Sequence, residues 1–357
     1  RAIRTVLQSA QKMANTPVYH VIVSMAGGNP RSYGLAGSVD IGGGQVSEED
    51  VARVLSSCDV PDFGEAREVL HAQPVNFALD NRSGLSDPRG QVGQKMSTDM
   101  HMITVDAGAV QNLVHCVKRC DLELAGVVSS AYVSGLSSLV EDEQELGAAC
   151  VDMGGGATSL SIFLKKHMIY ADTVRMGGDH VTNDISLGLQ IPATKAERIK
   201  TFYGGAHATS MDDRERIEIG GDTGDYDRDS RSVSRTELIG IIKPRIEEIL
   251  EDVRSRLDAA GFEHLPSQQI VLTGGGSQIP GLDALASRIL GQQVRLGRPL
   301  RVHGLPQATT GPGFSAAVGL CLMAANPQDE WWDFDMPSDR HPVRSMARTV
   351  KWFRDNW

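Results

Sequence analysis

The chain has 357 residues, 41% hydrophobic, 22% charged and 5% aromatic, with a net charge of −10. That length suits two or three compact units with a sizeable core. The acidic balance argues against nucleic acid as the main partner, and no run approaches the ~18–20 apolar residues of a membrane-spanning helix. Five cysteines (Cys58, Cys116, Cys120, Cys150, Cys321) contain no C-x-x-C pair and read as small hydrophobes of a cytosolic chain.

The first predicted element is a helix over residues 1–14, with Ile3, Val6, Leu7, Ala10 and Met13 on one stripe. Its polar face is unlike a signal peptide. Because the chain opens inside a helix, without an initiator methionine, it is expected to be a fragment whose N-terminal segment lies upstream. A β-branched strand follows at 18–24, then a glycine-studded stretch to Gly44 and a helix capped by Ser47. Strand patterns around 69–77 and 100–105 precede a helix over 109–119. Residues 18–107 therefore read as a strand–helix–strand–strand unit. The tract Val39-Asp-Ile-Gly-Gly-Gly44 is expected to be a decoy for phosphate binding, because a charged helix start follows it where a second strand is needed.

Residues 148–163 carry the strongest local signal. An apolar strand leads to Asp152, three glycines follow (Gly154, Gly155, Gly156), and Thr158 opens a second apolar run. Glycines allow tight turning and bring bare amides close to an anion. Asp152 is placed to face a metal ion held by that anion, so the natural ligand is a nucleotide phosphate carrying Mg2+; an ordinary glycine hairpin is the plain alternative. Gly177 and Gly178 then precede a helix to about 189, and Glu197 and Lys200 lie in a short helix ending near 203. Residues 206–233 are polar and acidic, with a short ribbon at 217–219. A long helix spans 234–260, opened by a Ser234/Glu237 capping box and expected to kink or break at Pro244. A second strand-to-glycine loop follows at 269–281 with Gly274, Gly275 and Gly276, and a helix begins after it.

Residues 327–342 form an acidic, aromatic-containing linker. Beyond it Val343, Met346, Val350, Phe353 and Trp357 fall within an arc of about 80° on a helical wheel. Arg344, Arg348, Lys351 and Arg354 lie to the other side. Such a helix lies in a membrane interface, where each nearby cation adds ~1 kcal/mol with anionic headgroups, or it packs on a protein surface.

Two strand-then-triple-glycine loops about 120 residues apart suggest nucleotide held between two related halves. The arrangement resembles the actin, Hsp70 and sugar-kinase superfamily, and within it the FtsA family of bacterial division proteins. Gly37-Ser-Val-Asp-Ile41, Val151-Asp-Met-Gly-Gly-Gly156, Gly177-Gly-Asp-His-Val-Thr-Asn-Asp-Ile185, Ala196-Glu-Arg-Ile-Lys200, Pro244-Arg-Ile-Glu-Glu-Ile249 and Leu272-Thr-Gly-Gly-Gly276 carry the resemblance in order. It implies an α/β, actin-like (RNase H-like) two-lobed fold with an inserted subdomain and a C-terminal amphipathic helix. The implied units are 1–17 (remnant of the first lobe), 18–107 (the insertion), 108–187 (first lobe with the second phosphate loop), 188–326 (second lobe, with a small subdomain at 206–260), 327–341 (linker) and 342–357 (membrane-targeting helix).

The same resemblance implies ATP, at most weakly hydrolysed, with Asp152 holding Mg2+ through water and helping to orient the attacking water as the catalytic residue, and phosphates bound by Gly154–Gly156 near the Thr158 hydroxyl. Glu197 and Lys200 would meet ribose and adenine, Gly274–Gly276 the α-phosphate and adenosine, and Gly177–Gly178 the cleft floor; a surface ion pair and close helix packing are the plain alternatives. Implied partners are the tubulin-like division GTPase FtsZ, received near Arg235, Lys243 and Arg245, further copies of the chain in a filament, other division proteins and anionic lipids. The implied place is the cytoplasmic face of the inner membrane at the septum. Family members begin with a first phosphate hairpin that is not in this sequence, so this chain is expected to bind nucleotide poorly or not at all. Rival readings are a superfamily kinase or Hsp70-type ATPase, which lack an acceptor pocket or a β-rich substrate domain here, and a pilus-assembly actin homologue.

Overall fold

Apolar runs of period two, punctuated by glycine turns, build the sheets of this chain. The computed structural model describes residues 2–220, 231–300, 302 and 304–325. Helix α1 (Ala2–Ala14) forms as its periodicity dictates, yet none of its residues is buried. After β1 (His20–Met25) come β2 (Arg31–Asp40), α2 (Glu48–Ser56), β3 (Arg67–Leu79), β4 (Arg82–Leu85) and β5 (Lys95–Asp106). The last four strands make one antiparallel sheet ordered β2–β5–β3–β4. Its core holds Val54, Leu55, Phe77, Leu79, Met96 and Met102. The unit keeps the expected strand–helix–strand–strand order with one short strand added, but its first strand is β2 and not the expected strand at 18–24.

Strand β2 occupies what reads in the sequence as a glycine-studded stretch. Gly37 sits under α2, where a Cβ would lie 2.6 Å from the Val54 carbonyl oxygen. Glycine inside this strand marks the close approach of a helix rather than a loop. Ser47 caps α2 as expected, in a reciprocal box with Asp50. The decoy tract ends in a turn whose amides are taken locally: Ile41 and Gly42 donate to the Gln94 carbonyl, and Gly43 donates to that of Gly93.

β1 does not join this sheet. It pairs in parallel with β6 (Glu123–Ser129), which follows α3 (Ala107–Lys118). The inserted unit therefore starts after β1, not at residue 18, because the backbone groups of that strand are matched on the first-lobe side. Next comes α4 (Ser130–Ser138), a nine-residue helix in which only Leu136 is not fully buried. Then α5 (Glu141–Leu146) leads into an antiparallel meander of β7 (Ala148–Met153), β8 (Thr158–Leu164) and β9 (His167–Val174).

The remaining described elements are α6 (Gly178–Leu189), α7 (Ala193–Tyr203), the ribbon β10 (Arg216–Glu218) with β11 (Ser232–Ser234), α8 (Arg235–Ala259), β12 (Gln269–Thr273), α9 (Leu282–Leu290), β13 (Val294–Leu296) and α10 (Ser315–Ala325). β13, β12 and β7 are parallel, and the five-stranded sheet runs β13–β12–β7–β8–β9. The alternation along β7 divides two cores. Ala149, Val151 and Met153 face a cluster with Ile185, Ile242, Ile246 and Leu282, whereas Ala148 and Cys150 face one with Val133, Leu139 and Val128.

This topology corrects the expected lobe boundary at residue 187. Asp152 pairs with Thr273, and Val151 with Leu272. Both glycine loops thus leave neighbouring strands of one sheet instead of facing each other from two halves. Of the two outcomes expected at Pro244, the break is not seen: α8 continues through it. A proline inside a helix costs about 3 kcal/mol. Ile242, Ile246, Ile249, Leu250 and Val253 are wholly buried on either side of it, each contributing ~1.5–3 kcal/mol, so packing outweighs the lost donor. The linker at 327–341, the basic helix at 342–357 and residues 221–230 lie outside the described residues.

Candidate functional site

The ends of β7 and β12 place the two loops side by side. At the first, Gly154 donates to the carbonyls of Asp152 (3.1 Å) and Ala157 (3.0 Å), which closes the turn. Gly155 and Gly156 are exposed, and their amides make no backbone hydrogen bond to the described residues. Those two donors are the ones open to an anion. Thr158 departs from expectation: it is wholly buried, and its hydroxyl donates to the Met176 carbonyl at 2.8 Å, bracing the loop from behind.

The N-terminus of α6 is stitched to the same loop. Gly178 donates to the Gly154 carbonyl and Asp179 to that of Gly155, each at 2.9 Å. A Cβ on Gly177 would press on the Gly154 and Gly155 carbonyls. The double glycine thus acts first through close packing, the plainer of its two readings, and by that packing it forms the floor under the loop.

At the second loop Gly274 has φ +86°, open to glycine and strained for other residues, and a Cβ there would overlap Asp152 Oδ1 and the Met153 carbonyl. Gly275 opens a single 3-10 turn to Gln278, closed by the Ser277 hydroxyl on the Gly274 carbonyl at 2.8 Å. The loop is a compact turn rather than an extended wall.

Asp152 lies between the two. Its Oδ2 accepts from the Ser134 hydroxyl at 2.5 Å. Burial pushes its carboxyl above the ordinary aspartate range, and the Ser134 hydrogen bond opposes that rise. Ser134 belongs to α4, and sequence reasoning passed over it. The only available signal was the uncharged, hydroxyl-rich run Ser129-Ser-Ala-Tyr-Val-Ser-Gly-Leu-Ser-Ser138.

Glu197 and Lys200 meet as expected for an i,i+3 pair, with Lys200 Nζ 2.6 Å from Glu197 Oε2. They do more than decorate a surface. Lys200 Nζ also donates to the Gly178 carbonyl (2.9 Å) and Thr182 Oγ1 (2.8 Å), while Thr182 donates to Glu197 at 2.5 Å. Lys200 is nearly enclosed and Glu197 half exposed. Partial burial tends to raise the Glu197 carboxyl, but the hydrogen bonds from Lys200 and Thr182 win and hold it below its ordinary value. Gly178 links this pair to the second loop, since a Cβ there would lie 3.5 Å from Lys200 Nζ and 3.9 Å from the Gly276 α-carbon.

The expected basic receiving surface is largely spent. Arg235 pairs with Asp212 at 2.8 Å and Arg245 with Asp184 at 2.6 Å, whereas Lys243 makes one long contact to Glu247 (3.7 Å). Among the described residues no three His, Cys, Asp or Glu side chains converge to hold a metal. A magnesium ion here would therefore arrive with its nucleotide, held by phosphate and water with one protein carboxylate. That habit suits Mg2+, so the residues fit the group: Asp152, two open amides and two glycines that leave room beside it.

A parallel sheet end carrying two glycine loops, with an antiparallel meander and an inserted antiparallel unit, defines an actin-like α/β protein. A chain of a PilM–PilN type IV pilus biogenesis complex superposes with a TM-score of 0.59, covering 90% of this chain and 84% of that one at 16% identity, a likeness of fold alone. A sequence model described as Cell division protein FtsA matches residues 149–319, and one described as the SHS2 domain inserted in FtsA matches 27–104. The Cell division protein FtsA of Rhizobium meliloti (strain 1021) is 40% identical over 321 residues, 90% of this chain and 72% of that protein. That of Pseudomonas aeruginosa is 33% identical over 362 residues, covering 100% of this chain and 86% of the relative. The chain belongs to the FtsA family of cell division proteins. The SHS2 match begins after β1, as the strand pairing does.

Proposed function

We propose that this chain is an ATP-binding, actin-like division protein that assembles with further copies of itself on the inner membrane and tethers FtsZ there, with later division proteins gathering on it. The observation that carries the nucleotide part is the convergence of Asp152, the open Gly155 and Gly156 amides and the Gly274 turn at the ends of two parallel strands, where α/β sheets bind ligands. Asp152 would hold the magnesium ion through water, and the amides of the first loop would receive phosphate oxygens. Lys200 and Glu197, locked together beside Gly276, form the edge that meets the sugar and base. Bound magnesium supplies charge neutralisation for the phosphates.

FtsA family membership supports FtsZ and the septum as partner and place, and the basic, aromatic-tipped pattern at 343–357 supports contact with anionic lipid. Lys243, weakly paired, is the cation of the three best able to meet an acidic tail.

The nucleotide reading is tested by titrating labelled Mg-ATP into this chain and into one extended upstream by the first-phosphate hairpin that the family resemblance implies. Saturable, Mg2+-dependent binding is expected in the extended chain, weaker binding in the shorter one, and at least a tenfold loss in Asp152→Ala. An Asp152→Ala protein that binds as tightly as its parent contradicts the reading. For the membrane, cosedimentation with anionic liposomes is expected to fall when the chain is ended at Asp339; equal pelleting rejects lipid contact by the tail.

A further inference from the structure

The two oxygens of Asp152 are restrained by different parts of the molecule. Oδ1 lies where Gly274 leaves room for it, on the β12 side. Oδ2 accepts the Ser134 hydroxyl at 2.5 Å, from α4. Among the described residues no other side chain donates to this carboxylate.

Ser134 is itself fixed. It is wholly buried, and the next residue, Gly135, presses α4 against the Phe163 ring so closely that a Cβ would overlap it. The Ser137 hydroxyl sits between the Ser134 carbonyl (3.2 Å) and the Ser315 carbonyl (2.8 Å). The Ser315 hydroxyl meets Thr273 Oγ1 at 2.6 Å, and Thr273 is the residue before Gly274. Buried hydroxyls therefore join α4, α10 and β12 beside the carboxylate. Three serines and a threonine in an otherwise apolar junction are costly unless every donor is used. Thr273 donates outward to the Gly297 and Pro312 carbonyls, and Ser134 is the member that donates to Asp152.

We propose that Ser134 is a positioning residue of the nucleotide site, holding the Asp152 carboxylate in the orientation from which it serves a magnesium-bound phosphate. The inference rests on the nucleotide reading above. Ser134 touches neither nucleotide nor metal in this role; it acts through Asp152, with the set of hydroxyls keeping α4 in register with β7.

The test compares Ser134→Ala with Ser161→Ala. Ser161 loses an equally buried hydroxyl, which donates to the Ala131 carbonyl on α4 at 2.8 Å and leaves Asp152 untouched. Two measurements are made on each. The first is a crystal structure without nucleotide: Asp152 is expected to leave its parent rotamer in Ser134→Ala and keep it in Ser161→Ala. The second is the affinity for labelled ATP with Mg2+ and with EDTA. Ser134→Ala is expected to lose at least tenfold in the Mg2+ arm with less than twofold change in EDTA, whereas Ser161→Ala leaves both arms unchanged. An unmoved Asp152 in Ser134→Ala overturns the proposal, and so does an equal loss in both arms or in both variants. If no version binds ATP even in the chain extended upstream by the first-phosphate hairpin, the nucleotide reading fails, while the crystal comparison still decides whether Ser134 holds Asp152.

Discussion

Gly319 shows how much one missing methyl group can decide. It lies on α10 against the backbone of Val133 on α4, and a Cβ there would overlap the Val133 carbonyl oxygen and carbon. Backbone cannot swing aside as a side-chain tip can, so α10 has to lift from α4 to admit alanine. Overpacking of this kind costs about 1–3 kcal/mol. Gly319→Ala is expected to lower the urea midpoint accordingly, and an unchanged midpoint contradicts the close seating. At this scale the sequence is legible where chemistry forces residue type. Asp152 and the two glycine triplets stand out because few other residues do their work. The direction of the Thr158 hydroxyl, and the role of Ser134, depend on which neighbour each meets, and no spacing rule reports that.

Strands β3 and β5 bring two histidines against the first lobe. His71 accepts the Ser129 backbone amide at 2.9 Å through Nε2 and stands edge-on to Tyr132, leaving its Nδ1 unpaired. Neither nitrogen of His101 meets hydrogen-bond geometry with a described group. Burial, and then the neighbouring His101, lower His71 to about 3; burial lowers His101 to about 4, against a small opposing effect of the Met168 carbonyl. Both folded values lie below the unfolded one near 6.5. The unfolded chain therefore takes up these protons first, and stability present above pH 6.5 is lost as pH falls toward 4. Each histidine contributes a slope approaching 1.4 kcal/mol per pH unit, so the pair is expected to cost roughly 2–3 kcal/mol between pH 7 and 5.5. Denaturant unfolding at those two values checks this, with His101→Met expected to remove about half the change; equal stability at both pH values contradicts it.

Elements differ in legibility for similar physical reasons. Helix α8 is plain in its apolar spacing, and burial along that stripe carries it through Pro244. Strand β2 is hidden because Gly34 and Gly37 mimic a loop, although Gly37 is there for the close packing of α2. Helix α4 is hidden because burial on nearly all sides removes the polar face that periodicity needs.

At the scale of the whole molecule, the order of glycine loops and the inserted unit point to the family before any coordinates, whereas the sheet connectivity does not follow from them. Two similar loops far apart in sequence read naturally as one from each lobe. Parallel pairing of β7 with β12 makes them neighbours instead, a consequence of long-range backbone registration that local patterns do not encode. The central claim is that these neighbouring loops hold one magnesium nucleotide. Hydrogen–deuterium exchange of the N-terminally extended chain, with and without Mg-ATP, tests it most directly. Protection is predicted at residues 153–158, 177–182 and 274–278 together. Saturable nucleotide binding that leaves all three segments unprotected, or protects only residues elsewhere, contradicts it.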